Sequence, residues 1–417
     1  IAGNLLLNFN IFLLIFFAFL FFREEIFQIK YSIIDKLIII FFLYILFNGI
    51  LNNLFNFKFP NAPDQHIVII KSLLFLRFLI LYFVVKFLVC KKIINYKLLF
   101  FVYGFCSLFI SFDLIVQYMF GKNLLGMEGE GRRLSGLFGD EYIAGGYIQK
   151  FFIFLPYAIL LFSGIKSRFY LQFVLLLILA ITLFGILVSG NRMPLFFSIF
   201  ALSLIFVFEK KLRKLIGSVF IIFLISFLFL LKTNDETYNH FHDFQNKGSE
   251  FINYFQERFF ASGNISVKNV YIKEFESGIF TWQQNKTFGG GLKSFYFNCS
   301  SIDKKIMTKY IGSCNSHPHN YYLEIAASLG IVGLFLLTII FLMILIRSLI
   351  FTNFSNTEPQ MQKIFIPFFI VFVLEIFPLK TTGSFFTTLT GNFLFIILAF
   401  IVGLIESGKK KVDYEKK

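Results

Sequence analysis

The sequence predicts an all-α integral membrane protein with about eleven transmembrane helices, and three observations support this prediction. Of the 417 residues, 57% are hydrophobic and only 15% are charged. The apolar residues, among them 66 phenylalanines, fall in blocks about as long as a bilayer-crossing helix rather than in amphipathic stripes. Lysines and arginines concentrate in alternate connections between these blocks. A soluble fold is excluded because a soluble core does not need so many apolar blocks in series.

The first apolar block lacks a charged region before it and a small-residue cleavage site after it, so we interpret it as a spanning helix rather than a signal peptide. Because the chain begins at Ile1 rather than Met, we expect its N-terminus to be incomplete. The eleven predicted helices are 5–22, 37–51, 67–89, 98–116, 143–162, 169–188, 194–208, 215–231, 321–346, 364–377 and 385–405.

The distribution of basic residues predicts the orientation of these helices. Connections of one parity, with the C-terminal tail, contain 19 Lys and Arg residues, and the short connections of the other parity contain 6. The first set is therefore predicted to be cytoplasmic, and the net charge of +15 reflects membrane orientation rather than nucleic-acid binding. This orientation divides the chain into helices 1–8 (1–231), a long periplasmic loop (232–320), and helices 9–11 with a basic tail (321–417).

Two of the four cysteines, Cys299 and Cys314, lie in the long loop and thus in an oxidising compartment. A disulfide between them is the expected arrangement. Zinc ligation together with His317 and His319 is the alternative, although the spacing matches no familiar zinc pattern. We otherwise expect no metal and no cofactor.

The same loop contains a predicted amphipathic helix and a run of glycines. Segment 266–280 places Val270, Tyr271 and Phe275 on an apolar face, with charged residues that include Glu274 largely on the other side. This helix is expected to lie on the membrane surface or to cover a cavity. The run 289–291 permits backbone conformations that other residues resist, which suits either close approach to a ligand or a loop hinge.

Ionisable groups inside apolar blocks are costly and mark either structural pairs or a pathway. Arg77 lies in the middle of a predicted helix and needs a buried partner, for which we expect Glu375 or a bound anion. Lys86, in the same helix, is expected to extend to the cytoplasmic interface. Lys150 lies about two turns into the fifth helix and is a further residue that could line a site.

Three arginines lie on the outer side against the general trend of basic residues. Arg132 and Arg133 occur in the outer loop 118–142, which continues with the acidic pair Asp140 and Glu141. Arg192 occurs in a connection of about five residues, SGNRMPL. An arginine held at the outer surface by a short turn can bind a phosphate through two parallel hydrogen bonds. A solvated interfacial arginine is the alternative for each of the three.

The sequence CNSHPHNYYLEIAASLGIVGL places His317 and His319 immediately before a transmembrane helix. Asn320 is predicted to cap that helix, which begins at Tyr321. A histidine has a proton affinity suited to general-base catalysis near neutral pH, although a lone histidine here would more often be a helix-end residue. Two histidines beside a capped helix on the side of the outer arginines favour a catalytic role.

These segments together resemble the O-antigen ligase and O-antigen polymerase superfamily of bacterial membrane glycosyltransferases. The resemblance rests on four segments in the expected order, covering roughly residues 113–333: the outer loop RRLSGLFGDEYIAGGYI, the turn SGNRMPL, the glycine run FGGGLKSF and the His-Asn segment HNYYLEIAASLGIVGL. The His-Asn segment is the most specific of the four. Relatives have about twelve helices, which implies that one N-terminal helix is absent here.

The resemblance implies transfer of a glycan from undecaprenyl diphosphate to an acceptor hydroxyl, on lipid A-core for a ligase or on a growing repeat unit for a polymerase. It further implies an inverting reaction without metal in the bacterial inner membrane, with the active site facing the periplasm. By motif, His319 corresponds to the catalytic histidine, with His317 as second choice. Arg192 and either Arg132 or Arg133 correspond to the diphosphate-binding arginines. Relatives often have an additional arginine where this chain has Lys268.

A secondary transporter of a small anion or a glycan precursor is the alternative from another functional class, with Arg77 and Glu375 along its path. Such transporters usually contain paired broken helices in two related halves, and the sequence shows no such pairing. The sequence does not distinguish a ligase from a polymerase, because both use the same donor chemistry and differ in the acceptor.

Overall fold

The structure is a computed structural model that describes residues 2–54, 66–129, 133–260, 270–301, 314–354, 358–381 and 383–415. Within these ranges the chain forms α-helices and short 3-10 turns, with an isolated β-bridge between Lys122 and Glu128 and no longer strand. The described α-helices are α1 (Ala2–Ile26), α2 (Ile33–Leu54), α3 (Ile67–Phe75), α4 (Arg77–Cys90), α5 (Tyr96–Phe120), α6 (Ala144–Phe151), α7 (Phe154–Phe162), α8 (Arg168–Val188), α9 (Arg192–Phe208), α10 (Arg213–Thr233), α11 (Asp235–Phe260), α12 (Val270–Gln284), α13 (Ser294–Asn298), α14 (Tyr321–Phe354), α15 (Pro359–Glu375) and α16 (Thr388–Glu415).

The prediction of an all-α membrane protein is confirmed. Nine stretches of the described chain are long and apolar enough to cross a bilayer: Gly3–Ile26, Ile33–Leu54, Ile67–Cys90, Tyr96–Phe120, Ala144–Phe162, Arg168–Val188, Lys210–Thr233, Tyr321–Asn353 and Thr388–Gly408. The remaining two predicted spans correspond to the shorter helices α9 and α15, each of 17 residues. All eleven predicted segments are therefore helical, and nine of them reach spanning length.

The chain forms two compact units. The first contains α1 to α4, most of the long loop, α14 and α16, and its segments are Ile1–Ile93, Glu250–Thr357 and Glu375–Lys417. The second contains α5 to α10 with most of α15, and its segments are Ile94–Ser249 and Glu358–Leu374. In the first unit α4 packs against α16, and in the second α5 packs against α7 and α8.

Small residues allow close helix packing in the second unit. A Cβ built at Gly104 of α5 would lie 2.3 Å from the backbone nitrogen of Leu155 in α7. A Cβ at Gly185 of α8 would lie 2.8 Å from the Cα of Ser111 in α5. The absence of a side chain lets the backbones approach, as is common between membrane helices, where lipid offers no hydrophobic driving force for association.

The prediction that Lys86 extends to the interface is wrong. Its side chain is fully buried in the first unit and donates a hydrogen bond to Asp35 of α2. Its Nζ also lies 2.9 Å from Oε1 of Glu406 in α16, and Tyr82 donates to Asp35 at 2.7 Å. Paired carboxylates compensate the ammonium group, so burial costs less than for an isolated charge.

Of the two partners expected for Arg77, Glu375 or a bound anion, Glu375 is wrong. Glu375 accepts hydrogen bonds from Lys380 Nζ at 2.6 Å and from Tyr321 at 2.6 Å. Lys380 is only five residues away in sequence and satisfies the carboxylate locally. Arg77 instead donates to the carbonyl oxygen of Leu74 at 2.7 Å and to the hydroxyl of Thr388 at 3.1 Å. Backbone and hydroxyl oxygens therefore bind the two terminal nitrogens of Arg77, whereas its Nε is buried without a hydrogen-bond partner among the described residues.

Candidate active site

The His-Pro-His segment lies at the start of α14, where Asn320 fixes the helix end. The Asn320 side chain accepts hydrogen bonds from the backbone amides of Tyr322 at 3.0 Å and Leu323 at 3.2 Å, which confirms the predicted cap. Its amide nitrogen donates to the Pro378 carbonyl at 2.7 Å. The cap thereby ties the histidine segment to the connection before α16.

His319 has a left-handed backbone conformation, with φ at 51°. This region is sparsely populated by residues other than glycine, and such conformations concentrate at functional sites. The ring of His319 lies 4.2 Å from the ring of His317, centroid to centroid. His317 Nδ1 is 2.9 Å from the hydroxyl of Ser316, and the His319 side chain remains 35% exposed. Of the two histidines, His319 therefore has the more unusual backbone, and its side chain is accessible to solvent.

Glu274 of α12 approaches His319 from the long loop. Its Oε1 lies 3.7 Å from His319 Nε2 and accepts a hydrogen bond of 2.5 Å from the Asn315 side chain. Only 5% of Glu274 is exposed. Burial raises the pKa of this carboxyl above its usual range, and the neighbouring His319 and Asn315 partly offset the shift.

The face of α12 that packs against the histidine segment carries polar residues. Glu274, Ser277 and Thr281 are buried at helical spacing, whereas Tyr271 is 42% exposed. Ser277 and Thr281 satisfy their hydroxyls by donating to backbone carbonyls within the helix. A Cβ at Gly278 would lie 3.0 Å from Pro318 Cβ, so this face packs directly against the histidine segment.

The glycine run docks on α14 through backbone hydrogen bonds. We call residues 286–291 the glycine loop. The helical dihedral pattern of α14 breaks at Gly330, with φ at 66°, which frees the carbonyls that precede it. The amides of Gly290 and Gly291 donate to the carbonyls of Ala327 at 3.0 Å and Ser328 at 2.7 Å.

The exchange of hydrogen bonds runs in both directions. The Ile331 amide donates to the Lys286 carbonyl at 2.8 Å, and Tyr44 of α2 donates to the Leu329 carbonyl at 2.7 Å. Because water is scarce at membrane depth, broken helices are tolerated only where the protein satisfies the freed backbone groups. The glycine loop performs this task, which explains the Leu-Gly-Ile step of the sequence. The structure contains close backbone packing of the run against α14, which differs from both expectations for it, close approach to a ligand and a loop hinge.

The two loop cysteines form a disulfide with a Cα–Cα distance of 5.6 Å. Cys299 is fully buried and packs with Phe295 of α13 and Ala327 of α14. Cys314 directly precedes Asn315, the residue that binds Glu274. The disulfide therefore connects α13 with the histidine segment.

Arg192 lies in the second unit as the first residue of α9, and His240 of α11 binds it. The Arg192 Nη2 atom is 2.8 Å from His240 Nδ1, and His240 Nε2 is 2.8 Å from the Gly190 carbonyl. A neutral imidazole with its proton on Nε2 satisfies both contacts, since Nε2 donates to the carbonyl and Nδ1 accepts from the guanidinium. Arg192 Nε, 3.0 Å from the same Nε2, is then only a neighbour.

Additional contacts hold this arginine in place. The guanidinium carbon lies 5.6 Å from the centre of the Phe244 ring, one turn beyond His240 in α11. His240 is only 4% exposed and lines a cavity of about 50 Å³ together with Gly190 and Asn234. As the first residue of its helix, Arg192 also lies at the positive end of the helix dipole, which favours an anion.

The outer loop of the second unit meets the Arg192 turn at the backbone. The Leu134 amide donates to the Ser189 carbonyl at 3.4 Å. Arg133, which is exposed, therefore lies one residue before a backbone contact with the turn that contains Arg192. Asp113 and Gln117 at the end of α5 organise this loop by accepting from the amides of Leu124 and Gly136, both at 2.9 Å. Arg133 is thus close in sequence to a fixed backbone point beside Arg192.

The other predicted site residues are less informative. Asp140 and Glu141 are exposed, and Lys150 is partly buried in α6. Arg132 and Lys268 lie outside the described residues. No group of three or more His, Cys, Asp or Glu residues that could hold a metal ion occurs within the described ranges.

Sequence reasoning missed His240 and Glu274. Helical spacing carries the signal for His240, because Thr237, His240 and Phe244 recur on one face of a helix within the predicted periplasmic loop. For Glu274 the local pattern indicates a solvated side chain, since a charge on an amphipathic helix is normally solvated, whereas the residue is buried.

Residues 174–338 match the family described as O-antigen ligase. The matched segment covers less than half of the chain, but it contains Arg192, the glycine loop and His319. The outer loop with Arg133 precedes it. No curated protein matches the chain significantly. The match falls on three of the four motif segments and supports the resemblance of this multi-pass membrane protein to the O-antigen ligase and O-antigen polymerase superfamily.

Proposed function

We propose that the protein transfers a glycan from undecaprenyl diphosphate to an acceptor hydroxyl, as an O-antigen ligase acting on lipid A-core or as an O-antigen polymerase acting on a growing repeat unit. We place it in the bacterial inner membrane, with its active site facing the periplasm. The observation that carries this proposal is His319, which lies within the O-antigen ligase match, beside a capped helix end and open to solvent.

In the proposed reaction His319 acts as the general base. The acceptor oxygen attacks the anomeric carbon while its proton passes to the imidazole. The bond between the anomeric carbon and the diphosphate oxygen breaks, and undecaprenyl diphosphate leaves with the electron pair. Attack from the side opposite the leaving group inverts the anomeric centre.

The leaving diphosphate develops negative charge, which cationic donors stabilise. Arg192 is suited to this role because its guanidinium carries a permanent charge and offers a planar set of donors. The contacts with His240 and Phe244 restrict the rotamers of Arg192, so little side-chain entropy is lost on binding. Arg133, and Arg132 by sequence, are additional candidates. We expect no metal requirement.

Complementation of ligase-null and polymerase-null bacterial strains tests the proposal, with lipopolysaccharide laddering as the readout. Restoration of long chains in one strain identifies the branch of the superfamily. His319→Ala and Arg192→Ala should abolish complementation at normal expression and membrane insertion. Full activity of both variants would contradict the mechanism. Ion-coupled uptake by vesicles containing the protein would instead favour the transporter alternative.

A further inference from the structure

The carboxylate of Glu274 is the one acidic group in contact with His319 among the described residues. It belongs to α12, far from His319 in sequence, and the helix packs on the histidine segment through Gly278 and Pro318. Glu274 does not belong to a solvated surface, because only 5% of it is exposed and it lies on a buried polar face of α12. A buried carboxylate is costly unless another group uses its charge.

We propose that Glu274 is a positioning residue for His319, which orients the imidazole and stabilises its protonated form during glycan transfer. This inference rests on the proposed function and goes beyond it by assigning a second residue to the proton transfer. Asn315 holds Oε1 of Glu274 through its 2.5 Å hydrogen bond, so the carboxylate is itself fixed.

The geometry assigns the two ring nitrogens of His319 different tasks. Nε2 faces Glu274 Oε1 at 3.7 Å, so the proton of the neutral ring resides on Nε2. Nδ1 has no hydrogen-bond partner among the residues that the structure describes, and its lone pair is left to accept the proton of the acceptor hydroxyl. The resulting imidazolium has its Nε2–H directed at a carboxylate. It returns the proton to solvent, to which the side chain is open.

This arrangement follows the general logic of a base that a third group orients. A carboxylate beside the imidazole selects one tautomer and lowers the energy of the charge that forms in the transition state. The separation of 3.7 Å is longer than a hydrogen bond, and such contacts often tighten only when substrate is bound. The effect on rate is therefore expected to be smaller than for a directly bonded pair.

The other charged groups near this pair have partners of their own. The His317 ring lies beside that of His319 at a tilt of 50°, and its Nδ1 contacts the Ser316 hydroxyl. Glu276, two residues along α12, is buried, and burial raises its pKa as it does that of Glu274. Glu324 on α14 accepts from the Ser384 hydroxyl at 2.5 Å and the Phe385 amide at 2.6 Å. None of the described contacts links Glu276 or Glu324 with His319, so Glu274 alone supplies the negative charge.

Three variants of the full-length protein in proteoliposomes test this role, with the donor and acceptor identified by complementation. Glu274→Gln keeps the shape and the acceptor for Asn315 but removes the charge. We expect kcat to fall roughly 10- to 100-fold with little change in KM. We also expect the acid limb of the pH–rate profile, measured from about pH 5 to about pH 9, to move to lower pH. Glu274→Asp should restore part of the rate and the wild-type profile.

Glu276→Gln is the matched control, because it neutralises a buried carboxyl on the same helix without contact to His319. It should leave kcat and the pH profile close to those of the wild type. If Glu274→Gln does not insert or fold, Asn315→Ala offers a second route, since it releases the carboxylate and should shift the profile in the same direction.

The outcomes separate the inference from the function beneath it. Loss of activity in His319→Ala combined with a wild-type rate and pH profile in Glu274→Gln would overturn the inference alone. Full activity in His319→Ala would overturn the proposed function. A lower melting temperature in Glu274→Gln with an unchanged kcat and acid limb would show a purely structural role and contradict the proposal. Addition of Glu274→Gln to His319→Ala should cause no further loss.

Discussion

The substitution Gly330→Ala, which adds one methyl group, is expected to disrupt the docking of the glycine loop on α14. The Gly330 φ of 66° lies in the left-handed region, and a Cβ there would come within 2.1 Å of the Thr287 carbonyl oxygen. The obstructing atom belongs to the backbone and cannot rotate away. Gly330→Ala must therefore displace the glycine loop from α14 or change the path of α14 itself.

The cost follows from these contacts. A left-handed conformation costs an alanine roughly 1–2 kcal/mol relative to glycine. Displacement of the loop would also break the bonds from Gly290 to Ala327 and from Gly291 to Ser328, at about 1 kcal/mol each. We therefore expect the free energy of unfolding of the loop and the adjoining part of α14 to fall by about 3–4 kcal/mol.

Titration with a denaturing detergent, followed through Trp282, measures this change. Trp282 is the single tryptophan of the chain and donates to the Lys286 carbonyl at 3.0 Å, so its fluorescence reports on the glycine loop. Gly217→Ala in α10 is the control, because nothing lies within 4 Å of its added Cβ. It should be neutral or slightly stabilising. A Gly330→Ala variant as stable as the control would refute the docking argument.

Three more predictions concern the buried ion pair, the Arg192 contact and the disulfide. Lys86→Met leaves Asp35 as an uncompensated buried charge and should lower the free energy of unfolding by about 3–5 kcal/mol, with partial recovery when Asp35→Asn is added; detergent titration measures both. His240→Ala should release Arg192 and raise KM for the donor several-fold, whereas His240→Gln should retain part of the affinity; equal KM values would refute the contact. Reduction of the Cys299–Cys314 disulfide, which closes a separation of 15 residues, should cost about 3 kcal/mol, and an unchanged melting temperature after reduction would contradict this.

The hydropathy of the sequence predicts most of the fold because each apolar block must satisfy its own backbone as a helix in lipid. All eleven predicted segments are helical for this reason. The breaks within them are not visible in hydropathy. Gly330 becomes a break only because the glycine loop, some forty residues earlier, supplies the missing hydrogen bonds.

Charged residues were the least predictable part of the chain. The partners of Lys86 lie on α2 and α16, and no local pattern connects them with α4. The same holds for Glu274, whose helix looks amphipathic in the ordinary sense but buries its carboxylates. Expectations from local sequence patterns fail most often at functional sites, and here the residue that departs from its pattern, Glu274, lies beside His319.

The histidine and arginine motifs were identified from residue type, spacing and order, whereas the residues that support them were not. His319 and Arg192 carry recognisable motifs, but His240 and Asn315 act through contacts between separate elements. A single sequence contains no direct record of such contacts.

The measurement that tests the central claim most directly separates donor binding from transfer in the purified protein. We predict that His319→Ala binds the undecaprenyl-diphosphate-linked glycan within about two-fold of the wild-type affinity and loses transfer by roughly 10²- to 10⁴-fold, as expected for loss of a general base. Arg192→Ala should instead weaken donor binding. Normal transfer by His319→Ala, or a loss of donor affinity that accounts for its whole defect, would contradict the account.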